Sequence, residues 1–216
     1  MRILICVQFV WFVCCGQNDC KEGINKLPMY GRVEKCKDQL DSDKEFLIGC
    51  DKEFKSRQEG ARYYVEKAWG YFYSNQLDLA MKRFNQSWLL DSLNADIYWG
   101  FGNILGMRDR NFKESIIYFE RSLKLNPNNS RVWESASTSY GNLFFETKNE
   151  TMLDKSISCL KNSLKLDSKN ARAYAQLTAA YCYFTQKDSA RKYLTITDKL
   201  DPKAVNPEVR KILSGN

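Results

Sequence analysis

Apolar and small residues recur along most of this chain at spacings of three and four, the period of an amphipathic helix, and the pattern itself repeats about every 34 residues. Four units follow from the register: residues 61–94, 95–129, 130–170 and 171–204, with lengths of 34, 35, 41 and 34 residues. The fourth position of each is aromatic: Tyr64, Tyr98, Trp133 and Tyr174. The eighth is small: Ala68, Gly102, Ser137 and Thr178. Further on, a small residue is followed four positions later by a large apolar one, as Ala80 and Phe84, Ser115 and Phe119, Ser156 and Leu160, and Ala190 and Leu194. Each unit therefore predicts two helices that approach closely through small residues and fill the space between neighbouring pairs with large ones. The surplus residues of the second and third units are assigned to the turns between helices, around 107–111 and 141–154, where an insertion leaves both helices intact.

One such pair cannot bury its own apolar face, whereas four stacked pairs make a continuous core. Asn206, Pro207 and Glu208 carry helix start signals, so the chain is expected to close on a short capping helix that brings Leu213 to the core. Asp91, Asp167 and Asp201 recur at unit ends, which marks them as turn formers rather than catalytic carboxylates. Gly100 and Gly102 fall inside a predicted helix and read as sites of close packing, not as a phosphate loop.

The aromatic, the small residue, the small-x3-large pair and the closing Asp-Pro or Asn-Pro resemble the tetratricopeptide repeat family. The resemblance covers about two thirds of the chain; Ser115 and Ser156 stand where the family usually has Ala, and Ser92 and Ser168 where it has Pro. It implies an all-α fold, an α-solenoid of four helix-turn-helix repeats with a short C-terminal capping helix, and a concave surface that binds a peptide or protein. On the family's geometry the second, fifth, ninth, twelfth and thirteenth positions of each unit face that surface. The resulting site residues are Arg62, Trp69, Tyr73, Trp99, Asn103, Arg131, Glu134, Asn142, Arg172 and Tyr183, with Phe72 and Met107 beside them. The surface is expected to be aromatic at one end and basic at the other, which suits a peptide or an acidic tail. The clamp by which some members hold a C-terminal carboxylate is matched only at Asn103 and Arg172, since Val65 and Trp69 stand where it needs Lys and Asn. Two rival readings remain: Trp69, Tyr73 and Trp99 stacking on sugar rings as part of a carbohydrate- or peptidoglycan-binding accessory, and a structural spacer whose groove is filled by the preceding linker.

Composition narrows the chemistry. The 216 residues contain no His, which removes the commonest general base and most zinc sites, and no Cys pair has the C-x2-C spacing. No catalytic residues, metal or cofactor are expected. The net charge of +7 is spread among acids rather than gathered into a basic stripe with interleaved aromatics, so nucleic acid is not an expected partner.

The first residues are of another kind: Arg2, an apolar run from Ile3 to Cys15, then polar residues. This is a signal peptide, too short at about a dozen residues to span a bilayer comfortably. Phe12-Val13-Cys14-Cys15 resembles a degenerate bacterial lipoprotein box, with Cys15 better placed than Cys14 for lipidation. Ordinary cleavage after Gly16 is the alternative. The first reading places the protein in the cell envelope, at the outer membrane or in the periplasm, tethered to a membrane by lipid; the second makes it a soluble secreted protein. Residues 16–60 read as a charged linker with a partial helix. There Cys36 and Cys50 are close enough in sequence to close a loop, although spacing alone does not decide the pairing. Cys159 and Cys182 read as small buried hydrophobes. The leader, the element Leu27-Pro28-Met29-Tyr30-Gly31 and the repeats together resemble short tetratricopeptide lipoproteins of Gram-negative bacteria.

Overall fold

Seven asparagine or serine side chains start helices in this protein by capping the first free backbone N–H groups: Ser56, Asn94, Asn111, Asn129, Asn149, Asn170 and Asn206. In the computed structural model, which describes residues 20–215, the elements are α1 (Lys37–Glu53), α2 (Arg57–Tyr73), α3 (Leu77–Leu90), α4 (Ala95–Arg108), α5 (Phe112–Leu125), α6 (Ser130–Thr147), α7 (Glu150–Leu166), α8 (Ala171–Tyr183), α9 (Lys187–Leu200) and α10 (Pro207–Ser214). Two short 3-10 turns, Ile24–Lys26 and Pro28–Arg32, precede α1. The described residues contain no strand.

The helices pack as antiparallel pairs, α2 with α3, α4 with α5, α6 with α7 and α8 with α9, and each pair leans on the next. Between units the chain turns on an Asx motif: the carboxylates of Asp91, Asp167 and Asp201 and the amide oxygen of Asn126 each accept from the backbone N–H two residues on, at 2.9–3.1 Å. Two of the fourth-position aromatics reach back to these turns. Tyr98 donates from its hydroxyl to the Ser92 carbonyl at 2.6 Å, and Trp133 from its indole to the Pro127 carbonyl at 2.9 Å.

The core runs along the stack. Phe84, Tyr98, Phe101, Phe119, Leu160 and Leu177 are sealed from solvent. Serines at the helix crossings replace the usual alanine at no polar cost, because each hydroxyl donates to a carbonyl of its partner helix: Ser115 to Gly102 at 2.7 Å and Ser156 to Ser137 at 2.9 Å. At one end α1 lays Phe46, Leu47 and Cys50 against Ala61, Tyr64 and Leu90. At the other, Val205, Val209 and Leu213 cover Ala175 and Ala190.

Two expectations are corrected. The surplus of the third unit does not form a loop: α6 and α7 have 18 and 17 residues where α4 and α5 have 14 each, so both helices gain about one turn and only Lys148 and Asn149 join them. Residues 142–147 contain no Gly or Pro to break a helix, and Leu143 and Phe144 pack onto the core. The first helix of the first unit begins at Arg57, four residues before the repeat register. The cysteine pairing, which spacing left open, is Cys36 with Cys20, while Cys50 is a buried free thiol on the inner face of α1.

Within each repeat the turn between helices needs one residue in the left-handed region: Asn75, Arg110, Lys148 and Thr185, at φ 51–58°. Asn accepts that conformation readily, whereas a β-branched residue is strained by it. Asn75 and Thr185 hold the same position of their units. Thr185→Asn is therefore expected to stabilise the last repeat by about 1 kcal/mol, read as a rise in the urea midpoint of the folded protein; an unchanged or lower midpoint would contradict the strain.

Candidate functional site

The first helices of successive pairs, α2, α4, α6 and α8, enclose a cleft of about 680 Å³. Eight of the ten site residues drawn from the sequence line it: Trp69, Tyr73, Trp99, Asn103, Arg131, Glu134, Asn142 and Arg172; Phe72 and Met107 line it as well. Arg62 and Tyr183 do not. Arg62 sits on the exposed face of α2, and Tyr183 lies at the far edge of α8, its ring 4.9 Å from that of Phe145 on the added turn of α6.

Aromatic rings form one wall. Trp69 lies between core and cleft, with ring centroids 5.3 Å from Phe84, 4.3 Å from Trp99 and 5.8 Å from Tyr73, the last nearly parallel. Tyr73 is 72% exposed, so its ring face is offered to solvent while its orientation is set by Trp69. The Trp99 indole donates to Ser135 Oγ at 3.0 Å and ties α4 to α6. Asn103 donates back to the Trp99 carbonyl at 2.8 Å, which fixes its amide in the floor.

The opposite end is less basic than its arginines suggest. Glu134 is buried in the floor, where its carboxylate takes Arg172 at 2.8 Å on one oxygen and the Asn170 amide at 2.8 Å on the other. Arg172 keeps most of its surface in solvent, with side-chain exposure of 76%, and can receive a second acceptor. Arg131 is exposed and forms no ion pair among the described residues. The end therefore carries one free and one half-engaged guanidinium around a buried carboxylate.

Ser135, Thr138, Ser139 and Gln176 also line the cleft and escaped the sequence reading. Ser135 and Gln176 both occupy the sixth position of their units, a repeat of polar type that could have marked them. Gln176 Oε1 accepts from Ser137 at 2.9 Å, so it is held by the packing of α6 on α8.

No residue before Trp69 lines the cleft among the described residues. The filled-groove spacer required the linker there; instead residues 24–32 dock on the other face, against α3 and α5. The free thiols lie away from the cleft. Burial pushes the Cys159 thiol up to about 12 and raises those of Cys50 and Cys182, so all three stay protonated at neutral pH. No helix among the described residues is long and apolar enough to cross a membrane. Cys15, Cys14, Gly16 and the apolar leader lie outside the described residues.

No family model matches the chain, and no curated protein matches it. Solved structures do. The chain is similar to MamA, at 17% identity and a TM-score of 0.58 over 74% of this chain and 87% of that one. It is similar to PilF of Pseudomonas aeruginosa, at 16% identity and a TM-score of 0.61 over 74% and 68%. TTC0263, a thermophilic tetratricopeptide repeat protein of Thermus thermophilus, matches at 14% identity and a TM-score of 0.59 over 72% and 80%. The fold is the tetratricopeptide-repeat solenoid.

Proposed function

We propose that this protein is a non-catalytic scaffold that binds an extended peptide segment of another protein in the concave cleft. The observation that carries the reading is the cleft's chemistry: a wall of Trp69, Tyr73 and Trp99, a floor of Ser, Thr and Asn side chains, and Arg131 and Arg172 at the far end. Aromatic rings with few rotatable bonds give contact area at low entropic cost. The guanidiniums donate two parallel hydrogen bonds to a carboxylate. The favoured ligand thus carries an aromatic or aliphatic side chain followed, a few residues on, by Asp, Glu or a terminal carboxylate.

Export and lipid anchoring through Cys15 belong to the same proposal, with the envelope as the place of action. The leader motivates this, and the Cys20–Cys36 disulfide supports it, because such bonds persist in oxidising compartments. Sugar binding is the second reading, favoured only by the exposed, oriented ring of Tyr73.

A peptide library displayed against the immobilised protein separates the two. The selected sequences are expected to pair an apolar residue with an acid and to bind Tyr73→Ser about ten-fold more weakly, the loss of one stacking contact. A library without enriched sequences, alongside binding of peptidoglycan fragments that Tyr73→Ser abolishes, would favour the sugar reading instead.

A further inference from the structure

The segment before α1 is a closed loop lying across the convex face. Cys20 and Cys36 join its ends, and Gln39 holds it by donating to the Lys21 carbonyl at 2.8 Å. Between them the chain is read by side chains of the solenoid as a ligand would be. The two amide hydrogens of Asn85 on α3 go to the carbonyls of Asn25 and Leu27 at 2.9 and 2.8 Å, and Arg108 on α4 donates to the intervening Lys26 carbonyl at 3.0 Å. Lys26 pairs with Asp78 at 2.7 Å. Three residues further, Met29 is 4% exposed and joins Met81, Tyr98, Phe101, Leu105 and Tyr118 in the core, with the Arg121 guanidinium 3.9 Å from its sulfur.

This occupant fits its groove imperfectly. Met29, Tyr30, Gly31 and Arg32 are four consecutive left-handed residues, three of them not glycine, a conformation L-residues adopt singly rather than in runs. Asn85 is fully buried, yet its Oδ1 has no hydrogen-bond partner, so the groove holds an acceptor that this segment leaves unmet. A strained segment with an unmet contact needs a further restraint, and the disulfide supplies one.

We propose that the convex groove of α3, α4 and α5 is a second peptide-binding site, separate from the concave cleft, that reads three consecutive carbonyls and a methionine anchor. In the oxidised protein its occupant is the chain's own Ile24–Arg32 strap. Reduction by a dithiol opens it: one thiolate attacks a cysteine sulfur and expels the other cysteine, giving a mixed disulfide. The second thiol then displaces the attacked cysteine, so the dithiol leaves as a cyclic disulfide and two electrons and two protons pass to Cys20 and Cys36. Losing a closed loop whose ends lie 16 residues apart lowers the docking equilibrium constant of the strap roughly 100-fold.

Hydrogen exchange on the whole protein tests the gate. Reduction, or Cys20→Ser with Cys36→Ser, is expected to speed exchange of residues 24–32 roughly 100-fold, with α6 to α9 still protected and helical content unchanged. Unchanged protection of residues 24–32, or loss of helix throughout, would overturn it. To test the site itself, Met29→Asp is added to the double variant to eject the strap, and a labelled peptide of sequence INKLPMYGR is titrated in. Saturable binding that Asn85→Ala weakens about ten-fold supports the site; no binding, or binding indifferent to Asn85→Ala, overturns it.

Discussion

Gly100→Ala is expected to destabilise the protein by about 3 kcal/mol, although alanine is the better helix former by about 1 kcal/mol. A Cβ at Gly100 would fall 2.2 Å from Cζ of Phe84 and within 2.5 Å of both neighbouring ring carbons. That ring has nowhere to go, being sealed from solvent and wedged between Trp69 and Phe101 at centroid distances of 5.3 and 6.1 Å. Gly102→Leu acts likewise within the second pair, where its Cβ would meet Phe119 at 2.6 Å. Because units in a solenoid are held by their neighbours, the damage should spread to the first two repeats before the last two. Urea unfolding followed by circular dichroism reads the result; wild-type stability in Gly100→Ala would contradict the close crossing of α4 on the first repeat.

The second large effect is on binding. Arg131→Glu combined with Arg172→Gln is expected to weaken an acidic peptide about 100-fold, the value of one or two charge-assisted hydrogen bonds totalling about 3 kcal/mol. Gln is chosen at 172 for a reason visible in the structure. Arg172→Glu would set a second carboxylate against buried Glu134, which loses its partner at the same time, so folding and binding would fall together. Gln keeps a donor toward Glu134 and removes the charge a ligand would use. Fluorescence anisotropy with a labelled peptide measures the affinity, and circular dichroism should remain that of the parent. Unaltered affinity would refute the role of the arginines.

Much of the solenoid was legible because its periodicity is set by contacts between neighbours in sequence. Ala68 over Ala80, Gly102 over Ser115 and Ser137 over Ser156 are separated by one turn, and each leaves a local trace of small residues. Features built by distant contacts leave none. Asn85 meets Asn25 across 60 residues, so the motif Leu27-Pro28-Met29-Tyr30-Gly31 could be noticed in the sequence but not placed on the convex face. The pairing of Cys36 with Cys20 rather than Cys50 depends on α1, which turns Cys50 inward against Ala61 and Leu90. The added turn of α6 was misplaced because a lengthened helix and a lengthened loop add the same number of residues. Only the unbroken run at 142–147 distinguishes them. Eight cleft residues lie at the second, fifth, ninth and thirteenth positions of their units, whereas Ser135 and Gln176 lie at the sixth, which turns into the cleft only in the last two units and holds Glu66 and Gly100 in the first two.

The central claim is that a partner chain lies in the concave cleft. A photo-crosslinking amino acid placed at Asn103, in the floor, and separately at Lys124, on exposed α5, tests it in cells that make the protein. The account predicts a discrete cross-linked partner from position 103, lost in the Arg131→Glu and Arg172→Gln background, and none from position 124. Cross-linking from 124 alone, or from 103 regardless of the arginines, would contradict it.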